Sequence, residues 1–151
     1  EPLPEPPSVR LNEILPLPGV IDWNLDGSAD GFDSWIEIYN PGKKALDLAG
    51  WSLSTRAQGD GDYHFPAKAE IKAGHFQVLF RELIGIDFSQ ATSLYLYNAA
   101  GRVVDSVELA TLPADTAYSL DESGNWHNDW LPTPGTANKP IEPGLLKIID
   151  E

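Results

Sequence analysis

The chain of 151 residues contains no cysteine and no methionine, and it sets only 10 Lys and Arg against 23 Asp and Glu. Without cysteine there is no disulfide framework, and cysteine usage says nothing about the redox compartment. The shortage of cations leaves a formal charge of −13. A field of that sign repels phosphate backbones and disfavours direct nucleic-acid binding, and Lys43 with Lys44 is the sole adjacent basic pair. No apolar run approaches the ~20 residues of a membrane span. No long window repeats apolar residues at i, i+3 and i+4, so little helix is expected. There is no visible signal peptide. A chain that starts at Glu1 and lacks methionine reads as a piece excised from something longer, and its acidity suits a secreted, calcium-rich setting.

What is present is a globular composition rich in turn formers. Hydrophobic residues make up 42% and charged residues 22%, enough for one domain with a real core. Thirteen Gly and thirteen Pro fit many turns, hence many short strands. Residues 1–8 (EPLPEPPS) carry four prolines and read as an extended linker. Strands are predicted over Val9–Leu15, Ser34–Tyr39, Ala45–Leu48 continuing through Gly50–Leu53, Tyr63–Pro66, Ala69–Ile71, His75–Phe80, Ser93–Tyr97, Arg102–Glu108 and Ala117–Leu120. In Ser34–Tyr39, Ile36 and Ile38 face one way and form the expected core face, while Trp35, Glu37 and Tyr39 face the other. Asn40-Pro41-Gly42 reads as a tight turn joining two strands. Pro66 makes the strand before it an edge strand. Gln58–Asp62 reads as a flexible acidic tip, Arg81–Ser89 as the place for one helical turn, and Asp121–Asn138 as a run of turns. Lys139–Glu151 reads as a tail in which Leu145–Ile149 adds a strand or meets a partner. About eight to ten short strands without helical periodicity define an all-β, antiparallel sandwich.

An echo links Ile36-x-Ile38-Tyr39-Asn40 and Lys44-Ala45-Leu46-Asp47 with Leu94-x-Leu96-Tyr97-Asn98 and Arg102-Val103-Val104-Asp105. It is either a degenerate repeat or the same hairpin chemistry used twice.

In order along the chain stand Val9-Arg10-Leu11-Asn12-Glu13-Ile14, then Trp35-Ile36-Glu37-Ile38-Tyr39-Asn40-Pro41-Gly42, then Leu46-Asp47-Leu48-Ala49-Gly50-Trp51-Ser52-Leu53. The Phe65-Pro66 strand end, the Ala73-Gly74 turn and the Leu94-to-Asp105 segment follow, and the set closes with Pro132-Thr133-Pro134-Gly135-Thr136-Ala137-Asn138. This ordered set resembles the lamin tail domain family, an immunoglobulin-like β-sandwich also found in bacterial extracellular proteins. The resemblance spans residues 9–138 and implies an interaction or attachment module joined to other secreted or surface domains. It carries no catalytic residues over to this chain, and it assigns Trp51 to the core. The Pro-rich linker, in place of a coiled coil, does not support a nuclear filament protein.

The long loop Asp22–Asp33 departs from the compact members of that family. It reproduces the spacing of a helix-loop-helix calcium loop: oxygens from Asp22, Asn24 and Asp26, a turn at Gly27, the carbonyl of Ser28, and acids at Asp30 and Asp33. Asp33 stands where that loop has a longer Glu. The expected ligand is one structural Ca²⁺ that offsets carboxylate repulsion; the alternative is a solvated acidic loop whose Asp and Asn residues make turns. His64, His75 and His127 are scattered, and no zinc helix or nucleophile elbow is present. Trp23, Trp126 and Trp130 lie in turn-rich segments, where exposed rings would stack on sugars. Two readings therefore stand: a non-catalytic attachment module with a protein or cell-surface partner, and a calcium-dependent carbohydrate-binding module. The first places the protein outside a bacterial cell or on its surface.

Overall fold

The computed structural model describes residues 9–57 and 62–141. Within them the chain forms β1 (Arg10–Leu15), a 3-10 turn (Gly31–Asp33), β2 (Trp35–Tyr39), β3 (Leu46–Asp47), β4 (Ser52–Ser54), β5 (Tyr63–His64), β6 (Glu70–Ile71) and β7 (Phe76–Phe80). There follow α1 (Arg81–Ile84), β8 (Ser93–Tyr97), β9 (Val103–Glu108), β10 (Tyr118–Leu120), β11 (Trp126–His127), β12 (Trp130–Leu131) and β13 (Lys139–Pro140). A five-stranded sheet in the order β11-β10-β1-β2-β7 faces a four-stranded sheet in the order β5-β4-β8-β9, and every pairing is antiparallel. This is the expected sandwich. The predicted edge strand before Pro66 is β5, at the margin of its sheet.

Ile14, Ile36, Ile38 and Leu79 from the first sheet meet Leu53, Leu94, Leu96 and Val107 from the second, with Trp51, Phe65 and Phe88 filling the ends. In β1 the register shifts between Leu11 and Glu13. Strict alternation would send Leu11 and Ile14 to opposite faces; the irregularity lets both enter the core and turns Glu13 to the other side. At the rim, the Leu11 N–H donates to Asp105 Oδ2 at 2.8 Å and ties β1 to β9 of the opposite sheet.

The Asn40-Pro41-Gly42 turn does not close a hairpin. β2 pairs with β1 and β7, whereas β3 pairs with β6. The Asn40 Oδ1 accepts from the Gly42 N–H, and its Nδ2 donates to the carbonyls of Lys44 and Ile71, so the side chain steers the chain out of the large sheet. Nor does one strand run from Ala45 to Leu53: Gly50, at φ +79°, breaks it, and β4 joins the other sheet. β8 and β9 form a true hairpin around Asn98, whose Oδ1 accepts from Ala100 and Arg102. The two echoing segments thus share asparagine turn chemistry while differing in topology.

The turn-rich stretch after Asp121 contains two unanticipated strands, β11, which pairs with the predicted β10, and β12, which pairs with β13. Lys139 and Pro140, expected in the tail, therefore belong to a strand. The helical turn is α1, stopped by Gly85 at φ +71°. Residues 58–61 of the acidic tip and the segment Leu145–Ile149 lie outside the described residues. Asp62, the last residue of the tip, pairs with Arg56 at 2.8 Å.

Candidate functional site

The loop before β2 is built from side-chain caps on its own backbone. Asp22 accepts from the N–H groups of Asp26 at 3.2 Å and Gly27 at 2.8 Å, and Asp26 accepts from Ser28 at 2.9 Å. Leu25 at φ 59° and Gly27 at φ 94° make the tight reversal that brings these oxygens to one side. Asp30 caps the 3-10 turn through the Phe32 N–H, while Asp33 Oδ2 accepts from the Asp30 N–H at 2.9 Å. One carboxylate oxygen each from Asp22, Asp26 and Asp33 lies within 4.8 Å of the others. Of the four carboxylates among the six sequence-predicted ligands, these three converge. Asn24 turns its amide toward Asp26 and toward Glu82 on α1, Ser28 contributes its N–H to Asp26, and Asp30 is engaged in capping.

Asp33 differs from its neighbours in being wholly buried. Burial pushes its carboxyl up, the Asp30 and Asn24 backbone donors pull it down, and the charges of Asp22 and Asp30 push it up again. Its Oδ1 has no hydrogen-bond partner among the described residues. A buried carboxylate oxygen left without a donor is costly, and a cation is one group that satisfies it.

The anchor of the loop is Asp115, a residue that no local pattern singles out. It accepts from the N–H groups of Gly19 at 2.9 Å and Val20 at 2.8 Å and from the Trp23 indole at 2.8 Å. Burial raises its carboxyl, but the donors of Trp23, Gly19, Val20 and Ile21 outweigh that and hold it below the ordinary value. Gly19 is required by close approach, since a Cβ there would sit 2.7 Å from Asp115 Oδ2.

None of the three tryptophans proposed as exposed sugar platforms is fully exposed; each is half-buried. Trp23 packs edge-on against buried Trp35 at 6.0 Å between ring centroids. Trp126 stacks on Tyr118 at 5.2 Å and borders the main core. Trp130, half-buried, stacks on His127 at 4.3 Å. The rings also do not gather at the acidic loop. Trp23 lies at the Leu15–Trp35–Phe80 end of the large sheet, while Trp126 pairs with Leu120 near its other end. The histidines are likewise apart: His64 on β5, His75 just before β7, and His127 on β11 with its Nε2 2.7 Å from Asp121 Oδ2.

The outward face of β1 and β2 is covered as well. Glu13 and Glu37 are adjacent in register and fully buried. Above them lies the loop 133–138. The Thr133 N–H donates to Glu13 Oε2 at 2.8 Å and the Gly135 N–H to Glu37 Oε2 at 2.6 Å. Asn12 Nδ2 donates to Glu37 Oε1 at 2.8 Å, and Asn138 Nδ2 donates to the carbonyls of Asn12 and Leu120. This clasp explains why β2 is buried on both faces although its outward residues include a glutamate.

An antiparallel sandwich with a pinned closing loop and an acidic surface loop defines an immunoglobulin-like module. A family model described as Lamin Tail Domain matches residues 4–111, more than two-thirds of the chain, and the protein belongs to that family. The Thr133–Asn138 clasp lies beyond the matched range. No curated protein and no solved structure matches the chain. No helix among the described residues is long and apolar enough to cross a membrane.

Proposed function

We propose that this domain is a non-catalytic attachment or interaction module of a larger secreted or surface-anchored bacterial protein, and that one Ca²⁺ rigidifies its Asp22–Asp33 loop. The interaction role rests on membership of the Lamin Tail Domain family. The metal rests chiefly on one observation: the buried, donorless Oδ1 of Asp33 belongs to a carboxylate that converges with those of Asp22 and Asp26. Hard oxygen donors of this kind suit Ca²⁺, which accepts a flexible cage completed by backbone carbonyls and water. The cation's role is structural. It offsets most of the charge of three converging carboxylates and fixes the loop between Asp115 on one side and the start of β2 on the other.

A thermal melt in CaCl₂, in MgCl₂ and in EDTA tests the metal. A ligand that binds only the folded chain adds about 2.7 kcal/mol at 100 times its Kd. The expected result is a rise of several degrees with Ca²⁺, little with Mg²⁺, and no response in Asp26→Asn. Identical melts in all three conditions overturn the calcium assignment and leave the loop as solvated surface.

A further inference from the structure

At the end of the large sheet away from the acidic loop, Arg10, Tyr39 and Phe76 form one row across β1, β2 and β7. Tyr39 stacks on Phe76 at 4.4 Å, and the Arg10 guanidinium lies 5.3 Å from the Tyr39 ring centre. This row floors an open groove of about 480 Å³, walled by Asp121, His127 and Asn138 and by the paired residues Trp130 and Pro140 of β12 and β13. Asn12, from the carboxylate clasp, completes the floor.

Three features define what fits. Half-exposed aromatic rings stand on both sides of the groove: Tyr39 and Phe76 on the floor, Trp130 on the wall. Planar hydrogen-bonding groups are interleaved with them as guanidinium, amide and carboxylate, and the buried Arg10 Nε has no acceptor among the described residues. The charges are mixed: Arg10 opposes Glu122, and Asp121 is engaged by His127 and by the N–H groups of Ser123 and Asn125. Asp121 and Glu122 outnumber Arg10 among the lining charges, so the groove disfavours an anionic ligand. Apolar ring faces with a few oriented polar groups are the usual composition of a small-ligand site of this volume. A pyranose ring offers the complementary surface, a C–H face for the aromatic and hydroxyls for the planar polar groups.

We propose that this groove binds a neutral oligosaccharide, with sugar faces against Phe76, on the edge strand β7, and Trp130, and hydroxyls bonded to Arg10 and Glu122. The site is at the opposite end of the sheet from the Asp22–Asp33 loop, so binding does not require calcium. It deepens the attachment reading by naming a class of ligand, and it fails or stands independently of the metal.

The test is a titration of the ¹⁵N-labelled chain in EDTA with cellohexaose, chitohexaose, mannohexaose and laminarihexaose, read by amide and indole NMR shifts and by calorimetry. The expected result is saturable binding of at least one hexasaccharide. The shifts centre on Trp130, Phe76 and Glu122, and affinity falls at least tenfold in both Trp130→Ala and Phe76→Ala. Wild-type shift mapping decides the matter even if a variant folds poorly. No response to any of the four sugars overturns the proposal, as do shifts confined to the Asp22–Asp33 loop. So does saturation of the groove by an Arg- and Lys-rich peptide while the sugars leave it unchanged.

Discussion

Glu13 and Glu37 sit side by side across β1 and β2, both fully buried, and each accepts a backbone N–H from the same closing loop, Thr133 for Glu13 and Gly135 for Glu37. No cationic side chain among the described residues pairs with either; Asn12, Ser119 and Thr133 supply neutral donors instead. Two adjacent buried carboxylates without a counter-charge are expensive to ionise. Burial, with the Glu37 charge adding to it, pushes Glu13 up to about 7 despite its hydrogen bonds, and burial pushes Glu37 up to about 7.

That arrangement predicts an unusual pH profile. Both carboxyls have folded values above the unfolded value of 4.5. Their contribution to stability is therefore fully present below pH 4.5 and is lost as pH rises through about 7. Each group supplies on the order of 3 kcal/mol to this swing, less whatever the pair shares through coupling. Urea midpoints measured between pH 5 and 8 should fall with rising pH, and Glu37→Gln should flatten the slope by about half. A profile that is flat or rising in the wild type over that interval contradicts the burial argument.

Local patterns made much of the sandwich readable. Ile36 and Ile38 alternate with Trp35, Glu37 and Tyr39, and the aliphatic pair is the core face. The acidic loop was legible because its oxygens recur at alternating positions around Gly27, so the convergence of Asp22, Asp26 and Asp33 follows from local geometry. What was hidden depends on distant partners. Thr133 reaches Glu13 across 120 positions, and Trp23 reaches Asp115 across 92. The burial of Trp23 was missed because its loop looks polar, whereas its indole is hydrogen-bonded and its ring leans on Trp35. The Asn40 turn was misread because asparagine favours both hairpin turns and exits from a sheet, and only pairing decides between them. β11, β12 and β13 are two residues each, too short to show alternation.

Asn138 is the second load point of the closing loop. Its Nδ2 donates to the Asn12 and Leu120 carbonyls, each at 2.8 Å, bridging β1 and β10. Asn138→Ala removes both donors at once. A buried carbonyl left unpaired costs about 1–3 kcal/mol, so a loss of about 2 kcal/mol in urea unfolding is expected. The accompanying signature is faster amide exchange at Thr133 and Gly135. Thr133→Val should cost less, because the backbone donor to Glu13 survives and only the hydroxyl contacts to Glu13 at 3.2 Å and to Asn138 at 3.4 Å are lost.

Asp115 provides the sharpest test of how the fold supports the loop. It holds Gly19, Val20 and Trp23 from a segment some 92–96 positions away, and its φ of 58° shows that the backbone adopts a strained turn to place the carboxylate there. Asp115→Ala leaves the Trp23 indole and two backbone N–H groups without their acceptor. Loss of the partly buried indole bond alone costs about 1–3 kcal/mol. Trp23 should then loosen from Trp35, giving red-shifted tryptophan emission, and Asp22 beside it should lose its fixed position relative to Asp33. The calcium-induced rise in melting temperature should shrink in Asp115→Ala even though no proposed ligand is altered. Asp115→Asn keeps one acceptor oxygen and should recover part of both signals. An undiminished calcium response in Asp115→Ala means that the Asp22–Asp33 loop is organised by its own turns, with no help from the sandwich beneath it.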